Sequence, residues 1–256
     1  MIRPVDAARC AIGRSTGWLA RARHIIVPEF ALRSRIAGVP QTEEDYRAAG
    51  TACVGAINRA LGNFGKSVGD FAAVLDFGCG PARVLQHVHR LNPRQELHGS
   101  DIDPEAIAWC RSHIDYAAFE VNASLPPLAY PDGKFEFIYV LSVFSHLDRE
   151  MQRAWLSEMA RLLRPGAPLY LTFSGRFVFD KFREDFPAAS IREFETSGFT
   201  FINNIGAEFY VYPKWYQTSL QEIRYFTAAL PDNLRLIYYA ARGHMEFQDA
   251  VLCVKQ

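Results

Sequence analysis

The sequence predicts an α/β fold in which a seven-stranded, mostly parallel sheet carries helices on both faces. From residue 72 onwards, short apolar runs alternate with helical patterns, as in chains of βαβ units. The first apolar run ends at a glycine turn, residues 78–81, where such sheets commonly bind ligands. Two final apolar runs, 234–241 and 250–255, are joined by a short loop, and we expect the last strand to be antiparallel.

Length and composition limit the classes of protein to consider. The 256 residues are enough for one domain with additions. The 28 basic and 28 acidic residues give a formal net charge of zero, which argues against a dedicated nucleic-acid binder. The sequence lacks an apolar run of about 18 residues, so we expect no transmembrane segment.

The cysteines predict neither a disulfide framework nor a metal site. They are odd in number and scattered, without a C-x-x-C pair: Cys10, Cys53, Cys79, Cys110 and Cys253. This pattern fits a reducing compartment, and we expect a cytoplasmic location.

Residues 1–70 are predicted to form an N-terminal helical arm or lid, ahead of a main domain at 71–256. Seven arginines lie within residues 1–38, which indicates a solvated helix face or a contact with a membrane surface or an acidic partner. Thr42 followed by three carboxylates predicts a helix start, with the helix running to about Leu61.

The main domain divides into regular elements and one long insert. Strands are predicted at residues 72–77, 96–102, 116–122, 135–141, 168–173, 234–241 and 250–255. Helices are predicted at residues 82–90, 104–113, 148–163 and 219–230. The insert, 175–216, holds twelve aromatic residues and is too long for a plain connection, so we expect it to form a lid and an acceptor pocket with the arm.

The glycine turn departs from a dinucleotide-binding fingerprint. Gly78 and Gly80 allow a sharp bend and a close approach of ligand to backbone. Arg83 stands where that fingerprint has its third glycine. Asp76 lies just ahead of the turn, and its carboxylate suits a cationic ligand better than a pyrophosphate.

Two stretches resemble the class I S-adenosylmethionine-dependent methyltransferases, whose sheet is Rossmann-like. Residues 72–85, A-A-V-L-D-F-G-C-G-P-A-R-V-L, are similar to the first family motif. Residues 131–147, P-D-G-K-F-E-F-I-Y-V-L-S-V-F-S-H-L, are similar to a second and more specific stretch. The resemblance covers 72–174 well and 234–256 moderately. Gln248 and Asp249 form a pair similar to one in a bacterial subgroup acting on small molecules, although a hairpin turn also explains them.

The resemblance implies a site for S-adenosylmethionine and its product S-adenosylhomocysteine. Asp101 follows Gly80 by 21 residues and is expected to accept hydrogen bonds from the ribose hydroxyls, a geometry that nicotinamide-binding folds share. Asp103 is predicted to cap the following helix. The implied cofactor residues are Asp76, Phe77, Gly78, Cys79, Gly80, Asp101, Ile102, Asn122, Ala123, Leu141 and Ser142.

A small-molecule acceptor with a reactive oxygen or nitrogen is expected, and a hydroxyl acceptor requires a general base. His146 is the first candidate, with His244 and Tyr216 behind it. His146 is alternatively a substrate contact or a helix cap.

Three other functions stay open at this stage. Asp76 and Arg83 argue against a nicotinamide-dependent oxidoreductase. A non-catalytic module would bind S-adenosylmethionine without turnover. An RNA methyltransferase is disfavoured by the neutral charge, although the arginine-rich arm keeps it open.

Overall fold

The computed structural model describes residues 24–36, 42–202 and 217–256. Predictions for residues 1–23 and for Tyr216 and the four aromatics at 209–215 therefore lie outside the described residues. Within the described ranges, no helix combines the length and the apolar character needed to cross a membrane.

Nine strands are described. They are β1 (Ala73–Phe77), β2 (Glu96–Asp101), β3 (Ala117–Val121), β4 (Phe137–Val140), β5 (Pro168–Phe173), β6 (Phe199–Ile202), β7 (Thr218–Gln221), β8 (Leu234–His244) and β9 (Gln248–Lys255). The helices in the same ranges are α1 (Phe30–Arg33), α2 (Glu43–Gly62), α3 (Arg83–Leu91), α4 (Pro104–His113), α5 (Arg149–Leu162), α6 (Arg176–Lys181), α7 (Ala188–Ser197) and α8 (Ile223–Ala229).

Seven of these strands form one sheet in the order β3-β2-β1-β4-β5-β9-β8. Strand β9 runs antiparallel to both of its neighbours, and the other pairs are parallel. The predicted sheet, with its antiparallel last strand, is therefore confirmed. The chain reverses its direction of strand addition between β1 and β4, and ligands bind at such a switch point.

The central strands are buried because helices cover both faces. All five residues of β1 and all six of β5 are buried. Successive side chains of a strand point to opposite faces, and Val74 accordingly packs in one core cluster while Leu75 packs in the other. This double burial explains why the strands read as continuous apolar runs.

Two segments before the sheet are held by specific contacts. Thr42 and Asp45 form a capping box at the start of α2, as the sequence predicts. The backbone amide of the arm residue Ile26 donates to Oε1 of the buried Gln86 at 2.8 Å, and Nε2 of Gln86 donates to the carbonyl of Ile26 at 2.9 Å. Arg35 forms ion pairs with Asp103 and Glu105, so the arm spans from α3 to α4.

The predicted helix at 219–230 is wrong in its first part. Residues Thr218–Gln221 form β7, which pairs antiparallel with β6, and α8 begins only at Ile223. Strand pairing with a distant segment outweighs local helix preference here.

The described part of the insert has its own small core. Phe179, Phe186 and Phe194 pack with Ile202 and Leu220, and the rings of Phe179 and Phe194 stack with centroids 4.0 Å apart. Most of the aromatic residues described there therefore stabilise the insert rather than line a pocket.

Candidate active site at the carboxyl edge of the sheet

A cavity of about 1300 Å³ lies at the carboxyl ends of β1, β2 and β4. All eleven predicted cofactor residues line it, and so do His146 and His244. Residues far apart in the sequence thus meet at one edge of the sheet, as parallel strands require.

The two glycines of the turn have different surroundings. Gly78 has φ +80°, and a Cβ added there would lie 2.2 Å from Cγ2 of Val143. Gly80 has φ +50°, but a Cβ there would meet nothing within 4 Å. The amides of Gly78 and Cys79 both donate to the carbonyl of Ser100, at 2.7 and 3.1 Å. These hydrogen bonds fix the turn to β2. At Gly80 the backbone itself lines the cavity.

This contrast predicts different effects for Gly78→Ala and Gly80→Ala. The first should lower the free energy of unfolding by about 2–4 kcal/mol, since left-handed strain adds to overpacking. The second should cost only about 1 kcal/mol of strain, but its methyl group would enter the cavity and weaken ligand binding. Urea denaturation of both variants measures the stability difference, and equal losses would contradict the packing described for Gly78.

Asp101 ends β2 with its carboxylate held in a fixed orientation. Oδ2 accepts from the amide of Gly80 at 2.7 Å, and Oδ1 accepts from the amide of Asp103 at 2.8 Å. Burial raises the pKa of Asp101, while the backbone donors oppose this shift. Asp103 caps α4 through the amides of Glu105 and Ala106, as predicted.

Asp76 is buried in the middle of the sheet at the floor of the cavity. Its Oδ2 accepts a hydrogen bond from the hydroxyl of Tyr139 at 2.9 Å. Burial raises the pKa of Asp76 to about 8. A cationic group entering the cavity would favour the ionised carboxylate.

Asn122 and Ile102 lie on the wall next to Asp101. The side-chain oxygen of Asn122 accepts from the hydroxyl of Ser100 at 2.8 Å, and its amide donates to the carbonyl of Ala123 at 2.8 Å. The orientation of the Asn122 side-chain amide is thus set by Ser100 of β2 and by the neighbouring residue Ala123.

Ser142 closes the wall at the end of β4 in a left-handed conformation with φ +63°. Its hydroxyl donates to Oε1 of Gln248 at 3.0 Å, and its amide donates to the hydroxyl of Thr172 at 2.8 Å. Asp249 accepts from the amide of Arg242. Asp249 therefore holds the hairpin turn, whereas Gln248 reaches across to β4.

His146 lies on the cavity wall with a defined tautomer. Its Nδ1 is 2.7 Å from the carbonyl oxygen of Gln217, which only accepts, so Nδ1 carries the hydrogen and the lone pair is on Nε2. Burial lowers the pKa of His146 to about 4, and the ring is neutral at pH 7. Asp148, not His146, caps α5 through the amide of Met151.

His244 is buried and also lines the cavity. Its Nδ1 is 3.2 Å from the hydroxyl of Tyr170, and its Nε2 is 3.6 Å from Sγ of Cys53. Burial lowers its pKa to about 4. Both ring nitrogens of His244 therefore face protein groups.

Sequence reasoning missed several residues of the wall. From the arm come Leu32, Arg35 and Ile36, and from β6 comes Phe201. Their positions follow from long-range packing, for which the sequence holds no local signal. Arg83 also lines the cavity, and its departure from the glycine fingerprint is a signal that sequence reasoning left without a role.

Comparisons with known proteins relate part of this chain to methyltransferases. Residues 74–166 match the family described as methyltransferase domain. O-methyltransferase 3 of Dictyostelium discoideum is 24% identical over 118 residues, which are 43% of this chain and 27% of that protein. The ribosomal protein L11 methyltransferase of Burkholderia cenocepacia is 31% identical over 107 residues, which are 42% of this chain and 33% of that protein. The chain thus spans a third or less of the length of these curated relatives.

A solved structure extends the similarity to the fold. A SAM-dependent methyltransferase from Methanosarcina mazei has a TM-score of 0.55 and 19% identity, and the match covers 73% of this chain and 93% of that chain. The domain match, the strand order and the glycine turn agree with one another. Residues 74–166 therefore form a methyltransferase domain, and the chain has the fold of a SAM-dependent methyltransferase.

Proposed function

We propose that the protein transfers a methyl group from S-adenosylmethionine to an oxygen or nitrogen atom of a small-molecule acceptor. The observation that carries this proposal is the cavity on which the glycine turn, Asp101 and His146 converge. The cytoplasmic location expected from the cysteine pattern is part of the same proposal.

The residues around the cavity fit the donor. Gly80 lets a ligand contact the backbone, because nothing lies within 4 Å of where its side chain would be. Asp101 has a second lone pair on each carboxylate oxygen for ribose hydroxyls. Asp76 offers a buried carboxylate to a cationic group. Ile102 and Asn122 are on the same wall and are proposed to contact the adenine.

When bound, S-adenosylmethionine supplies a methyl carbon that the acceptor atom attacks as the carbon–sulfur bond breaks, with the bonding electron pair left on sulfur. The protein orients the reactants, and orientation alone provides effective molarities of about 10⁵–10⁸ M. Nε2 of His146 takes the proton that a hydroxyl acceptor loses. The hydrogen bond from Nδ1 to Gln217 holds the ring in the tautomer that this step requires.

The wall near His146 supports an apolar acceptor. Its side chains include Leu147, Met151, Trp155 and Phe201. The cavity volume of about 1300 Å³ exceeds the range of roughly 300–1,000 Å³ typical of single-ligand sites, so donor and acceptor fit together. We further propose that the arm and the insert act as the lid over this space.

Methyl-labelled S-adenosylmethionine tests the proposal. The full chain is incubated with separate panels of apolar phenols, amines, ribosomal proteins and RNA, and labelled products are counted. We expect label in phenols or amines, and much less with the His146→Ala variant when the acceptor is a hydroxyl.

The other outcomes distinguish the competing functions. Label in protein alone would favour a protein acceptor. The Burkholderia relative is named for an acceptor of this kind, ribosomal protein L11. Label in RNA alone would favour an RNA methyltransferase. Binding of the donor without transfer to any panel would favour a non-catalytic module. Each of these results would contradict the proposed acceptor class.

A further inference from the structure

Gln248 holds both ends of the short turn that leads from β4 to His146. Its Oε1 accepts from the hydroxyl of Ser142 at 3.0 Å, and its Nε2 donates to the hydroxyl oxygen of Ser145 at 3.0 Å. Residues Val143–Ser145 form a single 3₁₀-helical turn, and His146 follows it directly. One side chain from β9 therefore fixes the turn 142–145 at its start and at its end.

The hydroxyls around Gln248 form a buried network with β5. The hydroxyl of Thr172 donates to the same Oε1 of Gln248 at 2.8 Å, and its oxygen accepts from the amide of Ser142 at 2.8 Å. The hydroxyl of Ser174 donates to that of Ser145 at 3.1 Å. Thr172, Ser145 and Ser174 are buried, where a polar group that loses its partner is costly. Without Gln248 the turn would therefore be expected to shift.

Gln248 acts from behind the cavity wall. The described residues that line the cavity include Ser142 and His146 but not Gln248, so its effect on a ligand must pass through the turn. The ring of His146 has a separate anchor, because its Nδ1 is 2.7 Å from the carbonyl oxygen of Gln217. That bond sets the tautomer, whereas the turn sets where the ring lies. A displacement of about 1 Å at a reacting group can cost roughly 100-fold in rate.

We propose that Gln248 is a positioning residue for methyl transfer: it fixes the turn 142–145 and thereby places Nε2 of His146 against the acceptor hydroxyl. Of the pair that opens β9, Asp249 holds the hairpin and Gln248 holds the turn that carries the proposed base. This inference rests on the proposed function and deepens it.

A double-mutant cycle in methyl transfer tests the inference. Transfer to an apolar phenol is measured for the wild-type chain, Gln248→Leu, His146→Ala and the double variant. Leucine has nearly the volume of glutamine, so the change removes the hydrogen bonds without opening a cavity. We expect Gln248→Leu to lower kcat by roughly 10- to 100-fold. In the His146→Ala background the same change should lower kcat less than about threefold, because residues that act as one unit are not additive.

Gln95→Leu is the matched control. Gln95 is buried just before β2, and its Nε2 donates to the carbonyls of Val68 and Phe71, at 2.7 Å in each case. The variant removes hydrogen bonds of the same kind at the amino edge of the sheet, opposite the cavity, and should leave kcat unchanged. Gln248→Glu has two oxygens that can accept from the same hydroxyls, so it should retain most of kcat.

Far-ultraviolet circular dichroism checks the folding of each variant. Ser145→Ala removes only the hydrogen bond from Nε2 of Gln248. It carries the comparison if Gln248→Leu is unfolded, and its loss of kcat should likewise disappear in the His146→Ala background.

A second readout needs neither donor nor acceptor. Nuclear magnetic resonance of histidine labelled at its ring nitrogens reports which nitrogen carries the hydrogen, and the signal missing from His146→Ala identifies this ring. The wild-type chain should show the hydrogen on Nδ1, which faces the carbonyl of Gln217. We expect Gln248→Leu to populate both tautomers, since a displaced ring loses that carbonyl, and Gln95→Leu to keep the wild-type signal.

Three results would overturn the inference alone: an unchanged kcat for Gln248→Leu, the same loss of kcat in both backgrounds, or a His146 ring signal that Gln248→Leu leaves unaltered. A wild-type chain that transfers no methyl group to any hydroxyl acceptor would instead contradict the proposed function, and the ring signal would still test the placement of His146. The two failures are therefore distinguishable.

Discussion

Replacing His146 by alanine should lower kcat for methyl transfer to a hydroxyl acceptor by about 10²- to 10⁴-fold, the usual range for loss of a general base. Affinity for S-adenosylhomocysteine should change little, because we propose that His146 contacts the acceptor rather than the donor. The carbonyl of Gln217 accepts from Nδ1, so Nε2 is the atom that receives the proton. Steady-state kinetics with a phenol acceptor, together with a binding titration, measure both quantities.

The matched control is His113→Ala, which removes an exposed histidine on α4 and should leave kcat unchanged. A decrease of less than about tenfold for His146→Ala would show that His146 only contacts the acceptor. In that case the proton would leave to water rather than to this side chain.

The pH profile of the wild-type chain provides an independent check on the same base. Burial lowers the pKa of His146 to about 4, so its proton-accepting form is lost only as the pH falls through about 4. We expect kcat to rise with pH through this value and to be level from about pH 6 upwards. A rise centred between pH 6 and 7 would indicate an ordinary, solvated histidine and would contradict the burial of the ring.

Replacing Asp101 by alanine should weaken binding of S-adenosylhomocysteine by roughly 10- to 100-fold, because a charge-assisted hydrogen bond contributes about 1.5–3 kcal/mol. Two losses of hydrogen bonding contribute to the weaker binding of this variant. The ligand loses the carboxylate proposed to accept from its ribose, and the amide of Gly80 loses its partner. Asp101→Asn keeps one acceptor oxygen, so its loss should be smaller than that of alanine.

Calorimetric titration of S-adenosylhomocysteine measures these losses, and Asp132→Ala is the control. Asp132 is an exposed carboxylate paired with Arg161, away from the cavity wall. Affinities of Asp101→Ala and wild-type chains within about twofold of each other would contradict the role of Asp101.

The sheet and the meeting of the predicted residues on one cavity wall were predictable because they follow from local pattern. Buried parallel strands appear in the sequence as apolar runs, and Gly78 and Gly80 predict the turn after β1. Once β1 and β2 are recognised as parallel neighbours, the end of β2 must lie beside the glycine turn, and this fixes the place of Asp101. The structure accordingly places the carboxylate of Asp101 2.7 Å from the amide of Gly80.

The remaining features depend on pairing between distant segments. Residues 218–221 are followed by a helix, but they form a strand because they pair with β6. Arg35 reaches the cavity only because the arm crosses to Asp103. The tautomer of His146 is set by Gln217, 71 residues away. None of these contacts has a local signature, so sequence reasoning finds the residues without finding their partners.

Titration calorimetry of S-adenosylhomocysteine into the purified full chain tests the proposed cofactor site most directly. The site predicts saturable binding of one ligand per chain, competition by S-adenosylmethionine, and a loss of at least about tenfold with Asp101→Ala. Absence of any uptake at millimolar ligand, by a chain whose circular dichroism indicates a folded α/β protein, would contradict the assignment.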